Sequence, residues 1–112
     1  MKLITAVVKP YKVTDIKDAV AKLGVHGMTV TESEGYGRQR GHTEVYRGAE
    51  YTVDFVTKAR LEVLVDDDQL EQTLEAICTT AHTGEIGDGK IWVTPVEQVV
   101  RVSSGERGTE AI

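Results

Sequence analysis

The chain has 112 residues with a formal net charge of −5, 28% charged and 5% aromatic residues, which suits one globular domain with a modest core of its own. The negative balance argues against a protein that lives on nucleic acid, which needs a basic face, but leaves room for a local cationic pocket for a small phosphate-bearing ligand. The single cysteine, Cys78, cannot close an intrachain disulfide and favours a reducing compartment, and no apolar run is long enough to span a membrane, so a cytoplasmic location is expected.

KLITAVVK, from Lys2 to Lys9, is a β-rich apolar run ended by Pro10 and reads as a strand. Thr14 is a candidate N-cap for a helix in which Ile16, Val20 and Leu23 share a face, stopped by Gly24. MTVTESEGYG alternates as a half-exposed strand does. A polar stretch then carries three of the four tyrosines, Tyr36, Tyr46 and Tyr51, and such long connections are uncommon in compact domains unless functional or disordered. KARLEVLVD follows, with Leu61, Val63 and Val65 on one face and Leu64 on the other. Asp66, Asp67 and Asp68 supply a cap and negative charge for a second helix whose apolar stripe is Leu70, Leu74, Ile77, Cys78 and Ala81. HTGEIGDGK is a glycine-rich loop, and KIWVTPVEQVVRV a last strand that Pro95 interrupts or places at an edge. SSGERGTEAI reads as a polar tail with no reason to be ordered by itself.

The order β-α-β, long loop, β-α-β predicts an α+β fold, the ferredoxin-like βαββαβ arrangement with a four-stranded antiparallel sheet and both helices on one face. Because the first strand is apolar on both sides, the second sheet face is expected to be covered, most simply by other copies of the chain.

The sharpest chemical signal is TGEIGDGKIWV, Thr83 to Val93, where backbone N–H groups of a glycine loop could converge on an anion beside Lys90. It is not a P-loop, since the spacing differs and a strand follows; an ordinary tight turn remains the competing reading. YGRQRG, with Arg38 and Arg40, and RVSSGERG, with Arg101 and Arg107, are either further anion-binding elements or solvated charges. His26, His42 and His82 lie in three connections without metal-ligand spacing, and no nucleophile elbow or RNP1 aromatic pattern is present.

YRGAEY and TGEIGDGKIWV, together with MKLITAVVKP, GMTVTESEGYGRQRGHTEVYRGAEYTVDF and RVSSGERG, resemble the PII nitrogen-regulatory signal proteins over nearly the whole chain. The resemblance implies a single domain, 1–112, forming a homotrimer, with a T-loop at 36–55 between strands 2 and 3, a B-loop at 82–90 and a C-terminal loop and tail at 101–112. It implies a non-enzymatic integrator of nitrogen, energy and carbon signals, with ATP and ADP competing in clefts between subunits and 2-oxoglutarate binding alongside Mg-ATP. Adenine would sit near Thr29, Glu62 and Leu64, and phosphates near Gly37, Arg38, Gly87, Asp88, Gly89, Lys90 and the neighbouring subunit's Arg101. Gln39 would complete the Mg²⁺ shell; Gln39, Lys58 and Gly87 would form the 2-oxoglutarate site, Lys58 pairing with its distal carboxylate.

The insertion would dock on targets, its segment from about Gly41 to Val53 disordered until a ligand or partner engages it. Expected partners are an ammonium transporter, the one route to peripheral membrane contact, a nucleotidyltransferase and transcriptional regulators, with no direct nucleic-acid contact. Tyr51 resembles the tyrosine that is adenylylated or uridylylated; GHTEVYRGAEY and ERG lean toward the actinobacterial, adenylylated form, while Ala49 excludes the phosphoserine of cyanobacterial relatives. Two departures stand out: Ser103 replaces an interface arginine and Glu85 a basic residue of the glycine loop, so weaker nucleotide binding is expected. They keep open a PII-like protein sensing another effector; a weak nucleotide hydrolase is the other alternative, without an evident base.

Overall fold

The computed structural model describes residues 1–37, 43–46, 48–52 and 55–112, with the backbone alone described over 43–46 and 49–52. In chain order the elements are β1 (Lys2–Val8), α1 (Val13–Ala21), β2 (Thr29–Gly35), β3 (Thr43–Tyr46), β4 (Ala49–Thr52), β5 (Val56–Val65), α2 (Leu70–Ala81) and β6 (Gly89–Pro95). Strands β2, β5, β1 and β6 lie side by side in that order, every neighbouring pair antiparallel. With α1 and α2 this is the ferredoxin-like βαββαβ fold. Within the insertion, β3 and β4 pair in a two-stranded sheet of their own, with Gly48 at φ +78° in their connection.

The core lies between the sheet and the helices. Alternate residues of β1 (Ile4, Ala6, Val8) and β5 (Ala59, Leu61, Val63, Val65) meet Ile16 and Val20 of α1 and Ile77 and Ala81 of α2. A strand presents every second side chain to one face and a helix every third or fourth, so the two periodicities meet in one layer.

Four local expectations need correction. Thr14 is not the N-cap: Pro10 begins a 3-10 turn through Lys12 that runs straight into α1, so the helical path starts earlier, with proline where its missing N–H costs nothing. Leu23 lies past the end of α1, where Gly24 at φ +83° turns the chain and Val25 becomes the buried residue. Cys78 is exposed; Thr73 takes the buried position on α2, its hydroxyl donating to the Gln69 carbonyl at 2.7 Å. A threonine can enter an apolar layer because its own helix supplies the acceptor.

The tail is not left loose either. Val100 bridges Arg107, Arg101 N–H donates to the Glu106 carbonyl at 2.9 Å, and a short 3-10 turn at Gly108–Ala111 brings Ala111 to a buried position. Pro95 ends β6 on the sheet edge, as a residue without an N–H must. On the second sheet face Thr5 is buried between its cross-strand neighbours Glu62 and Trp92, with the Arg60 guanidinium 5.7 Å above the Trp92 ring. Part of that face is thus covered by the chain's own side chains.

Candidate ligand-binding site

Strand β6 begins where β1 ends, so the glycine loop is delivered to the end of the sheet beside Val7 and Val8. Gly87 and Gly89 have φ of +96° and +104°, conformations that side-chain-bearing residues rarely adopt. A Cβ on Gly89 would lie 1.8 Å from the Val7 carbonyl oxygen, so the loop can pass this close to β1 only as glycine.

Asp88 organises the loop from within. Its carboxylate accepts hydrogen bonds from the Thr83 N–H at 2.7 Å, the Gly84 N–H at 2.9 Å and the Thr83 hydroxyl. The Lys9 ammonium stands 3.3 Å away, and His82 Nδ1 3.8 Å. The Thr83 hydroxyl and N–H, followed by the Gly84 N–H and the Lys9 ammonium, hold the Asp88 carboxyl well below the usual carboxylate range. From β5, the Lys58 ammonium donates to the Gly87 carbonyl at 2.6 Å. Burial, helped by the nearby Lys9 charge and opposed by Asp88, lowers the Lys58 pKa from its ordinary 10.5.

These elements form a cleft of about 500 Å³ that joins Gly35, Tyr36 and Gly37 at the foot of the insertion to Lys58 and to Glu85–Lys90, with Trp92 also in its lining. Exposed Tyr36 and Phe55 stand at the two ends of the insertion with ring centroids 6.0 Å apart. Of the residues expected to meet phosphates or 2-oxoglutarate, Gly37, Lys58, Gly87, Asp88, Gly89 and Lys90 come together here. Glycine backbone and two ammonium groups fit an anion.

Thr29, Glu62 and Leu64, the expected adenine residues, line a second cleft of about 880 Å³, with Leu3, Met28 and the tail residues Thr109, Ala111 and Ile112. Thr29 and Glu62 are direct cross-strand partners. Arg101 lines neither cleft: its guanidinium reaches Glu106 at 3.4 Å and the Ile112 carbonyl at 3.1 Å. Arg38, Gln39 and the side chain of Tyr51 lie outside the described residues.

Residues without a role in the sequence reading also enter the site. Tyr36, Ile86 and Trp92 line the first cleft, while Lys9 donates to the Thr83 hydroxyl, which in turn donates to Asp88. The Thr-Gly opening of the glycine run was the one available clue to Thr83, since a hydroxyl five residues before an aspartate can close a loop. Nothing near Lys9 in sequence announced its contact across 74 positions to Thr83.

A four-stranded ferredoxin-like sheet thus carries, at the foot of a long insertion, a cleft lined by glycines and two lysines. A family model described as nitrogen regulatory protein P-II matches residues 1–106. Proteins called nitrogen regulatory protein P-II from Azospirillum brasilense, Pasteurella multocida and Nostoc punctiforme are 56%, 54% and 50% identical over 112 residues, spanning the whole of both chains in each case. The chain belongs to the P-II family of nitrogen regulatory proteins, and so to a family of signalling regulators rather than of enzymes.

Proposed function

We propose that this chain reports the adenylate state and the 2-oxoglutarate level to its target proteins, binding ATP or ADP and relaying occupancy through the 36–55 insertion. The observation that carries the reading is the cleft of about 500 Å³ in which the glycine loop, Lys58 and Lys90 meet the first residues of the insertion. A ligand held there touches the segment that must respond.

The phosphates fit Gly37, Gly87, Gly89 and Lys90, with Arg38 joining them, and the main chain of Asp88 rather than its engaged carboxylate faces the same ligand. Thr29, Glu62 and Leu64 line a different cleft of the same chain, which supports a homotrimer whose nucleotide spans two subunits, the neighbouring subunit's Arg101 completing the phosphate side. Lys58 would exchange the Gly87 carbonyl for the distal carboxylate of 2-oxoglutarate, beside Gly87 and Gln39. Magnesium would bridge phosphate and 2-oxoglutarate oxygens, with Gln39 as the protein ligand, consistent with its preference for few protein oxygens.

Isothermal titration tests this directly. ATP and ADP should compete for one class of site, and 2-oxoglutarate should bind only when Mg-ATP is present. Absence of binding by both nucleotides would refute the reading. Output would pass through docking on an ammonium transporter, a nucleotidyltransferase that marks Tyr51, or transcriptional regulators. Intact mass measured on protein from nitrogen-starved and ammonium-shocked cells checks the mark, and an unmodified Tyr51 under both conditions would count against it.

Glu85 favours a second reading, a PII-like sensor of a different effector, because it places a carboxylate on the cleft lining. A thermal-shift panel of ATP, ADP, cyclic nucleotides, bicarbonate and 2-oxoglutarate separates the two. Stabilisation by one of the others, with none by ATP or ADP, would select the second.

A further inference from the structure

We propose that Lys9 is a positioning residue for the ligand of the glycine loop: from behind the loop it neutralises Asp88, so that a loop carrying a carboxylate can receive an anion. The inference deepens the adenine-nucleotide reading and rests on it.

Lys9 follows the last residue of β1 and is not part of the cleft lining. Its side chain is 12% exposed, and its ammonium lies 3.3 Å from Asp88 Oδ1, 3.3 Å from the Thr83 hydroxyl oxygen and 3.9 Å from Glu85 Oε2. Asp88 in turn holds the main chain of Thr83 and Gly84. One ammonium therefore fixes both limbs of the loop, because Thr83 and Asp88 bracket it.

Electrostatics makes the arrangement necessary for binding as well as for shape. Asp88 is flanked by the two glycines whose backbone lines the cleft. A carboxylate there, left without a partner, opposes any phosphate that approaches, since like charges juxtaposed at a binding surface penalise association. The Lys9 ammonium cancels that charge without entering the cleft, which leaves Lys58 and Lys90 to attract the ligand. Lys9 thus acts through Asp88 and not on the ligand.

The test is isothermal titration of the full chain with ADP in magnesium-free buffer at low salt. Lys9→Met should weaken ADP binding by about tenfold, and Lys9→Arg, which keeps the charge, should restore it to within about threefold. In an Asp88→Asn/Glu85→Gln background, which removes both carboxylates that Lys9 faces, the same Lys9→Met change should alter ADP affinity by less than about threefold. Wild-type affinity in Lys9→Met would overturn the inference, and so would an equal loss in the Asp88→Asn/Glu85→Gln background, which would make Lys9 a direct ligand. If Lys9→Met does not fold by circular dichroism, Lys9→Gln, which keeps a donor for Thr83, is judged by the same outcomes. A wild-type chain that binds neither ADP nor ATP would overturn the nucleotide reading and this inference with it. A nucleotide-binding wild type beside an unaffected Lys9→Met would overturn the inference alone.

Discussion

The Lys58 ammonium donates a 2.6 Å hydrogen bond to the carbonyl of Gly87, tying β5 to the glycine loop across 29 positions of sequence. The lysine stem passes beside Gly35, where a Cβ would lie 3.3 Å from Lys58 Cγ, so the foot of the insertion, the strand and the loop share one packed junction.

That junction makes a titration signature. Burial first, and the Lys9 charge second, lower the Lys58 pKa below 10.5. Carbon-13 NMR of the Lys58 side chain should show it titrating below its ordinary 10.5. Lys9→Met should move it back up, since the like charge is removed. Folding opposes protonation of Lys58, so its cost to stability is full below the folded pKa and fades as pH rises toward 10.5.

Asp88 gives the opposite pH dependence. Its folded pKa lies below the ordinary 3.8, so its contribution is present above that value and is lost as pH falls through the folded pKa. Thermal unfolding of wild type and Asp88→Asn should differ most near neutral pH, and the gap should narrow as pH drops below 4. A constant gap would mean that the carboxylate charge contributes nothing to loop stability.

Gly89→Ala should destabilise the chain by about 2–4 kcal/mol in urea unfolding, because the new methyl meets the Val7 carbonyl and the φ is unsuitable. Gly27→Ala should stay within about 0.5 kcal/mol of wild type, as its Cβ would meet nothing within 4 Å and its φ is ordinary.

On α2 the contrast is between Thr73 and Cys78. Thr73→Val keeps the shape of a fully buried side chain but loses its 2.7 Å bond to Gln69, and should cost about 1 kcal/mol in the same assay. Cys78→Ser, at an exposed position, should change stability by less than about 0.5 kcal/mol.

Ser103 is exposed in the turn that follows Arg101. If the nucleotide reaches the neighbouring subunit's tail, Ser103→Arg adds a charge-assisted bond and should tighten ATP binding by ~1–3 kcal/mol. Equal affinities by titration calorimetry would remove Ser103 as a cause of weak binding.

Local pattern determined much of this protein. Alternation in β1 and β5, the Ile16–Val20 spacing and the run of glycines announce the elements, and together they announce a ferredoxin-like sheet, because strand and helix periodicity depend only on neighbours in sequence. The same local rules placed Cys78 on the buried stripe and left the tail unordered. Both errors share a cause, since the position of a helix face and the docking of a tail depend on which distant surface is available. Only the tertiary structure decided that Thr73 faces the core, that Ala111 returns to it, and that the expected adenine and phosphate residues line two clefts. It also brought Lys9 to Asp88 and Lys58 to Gly87. Such contacts come from the sheet order β2-β5-β1-β6, which sets the end of β1 and the body of β5 beside a loop that follows much later in the chain.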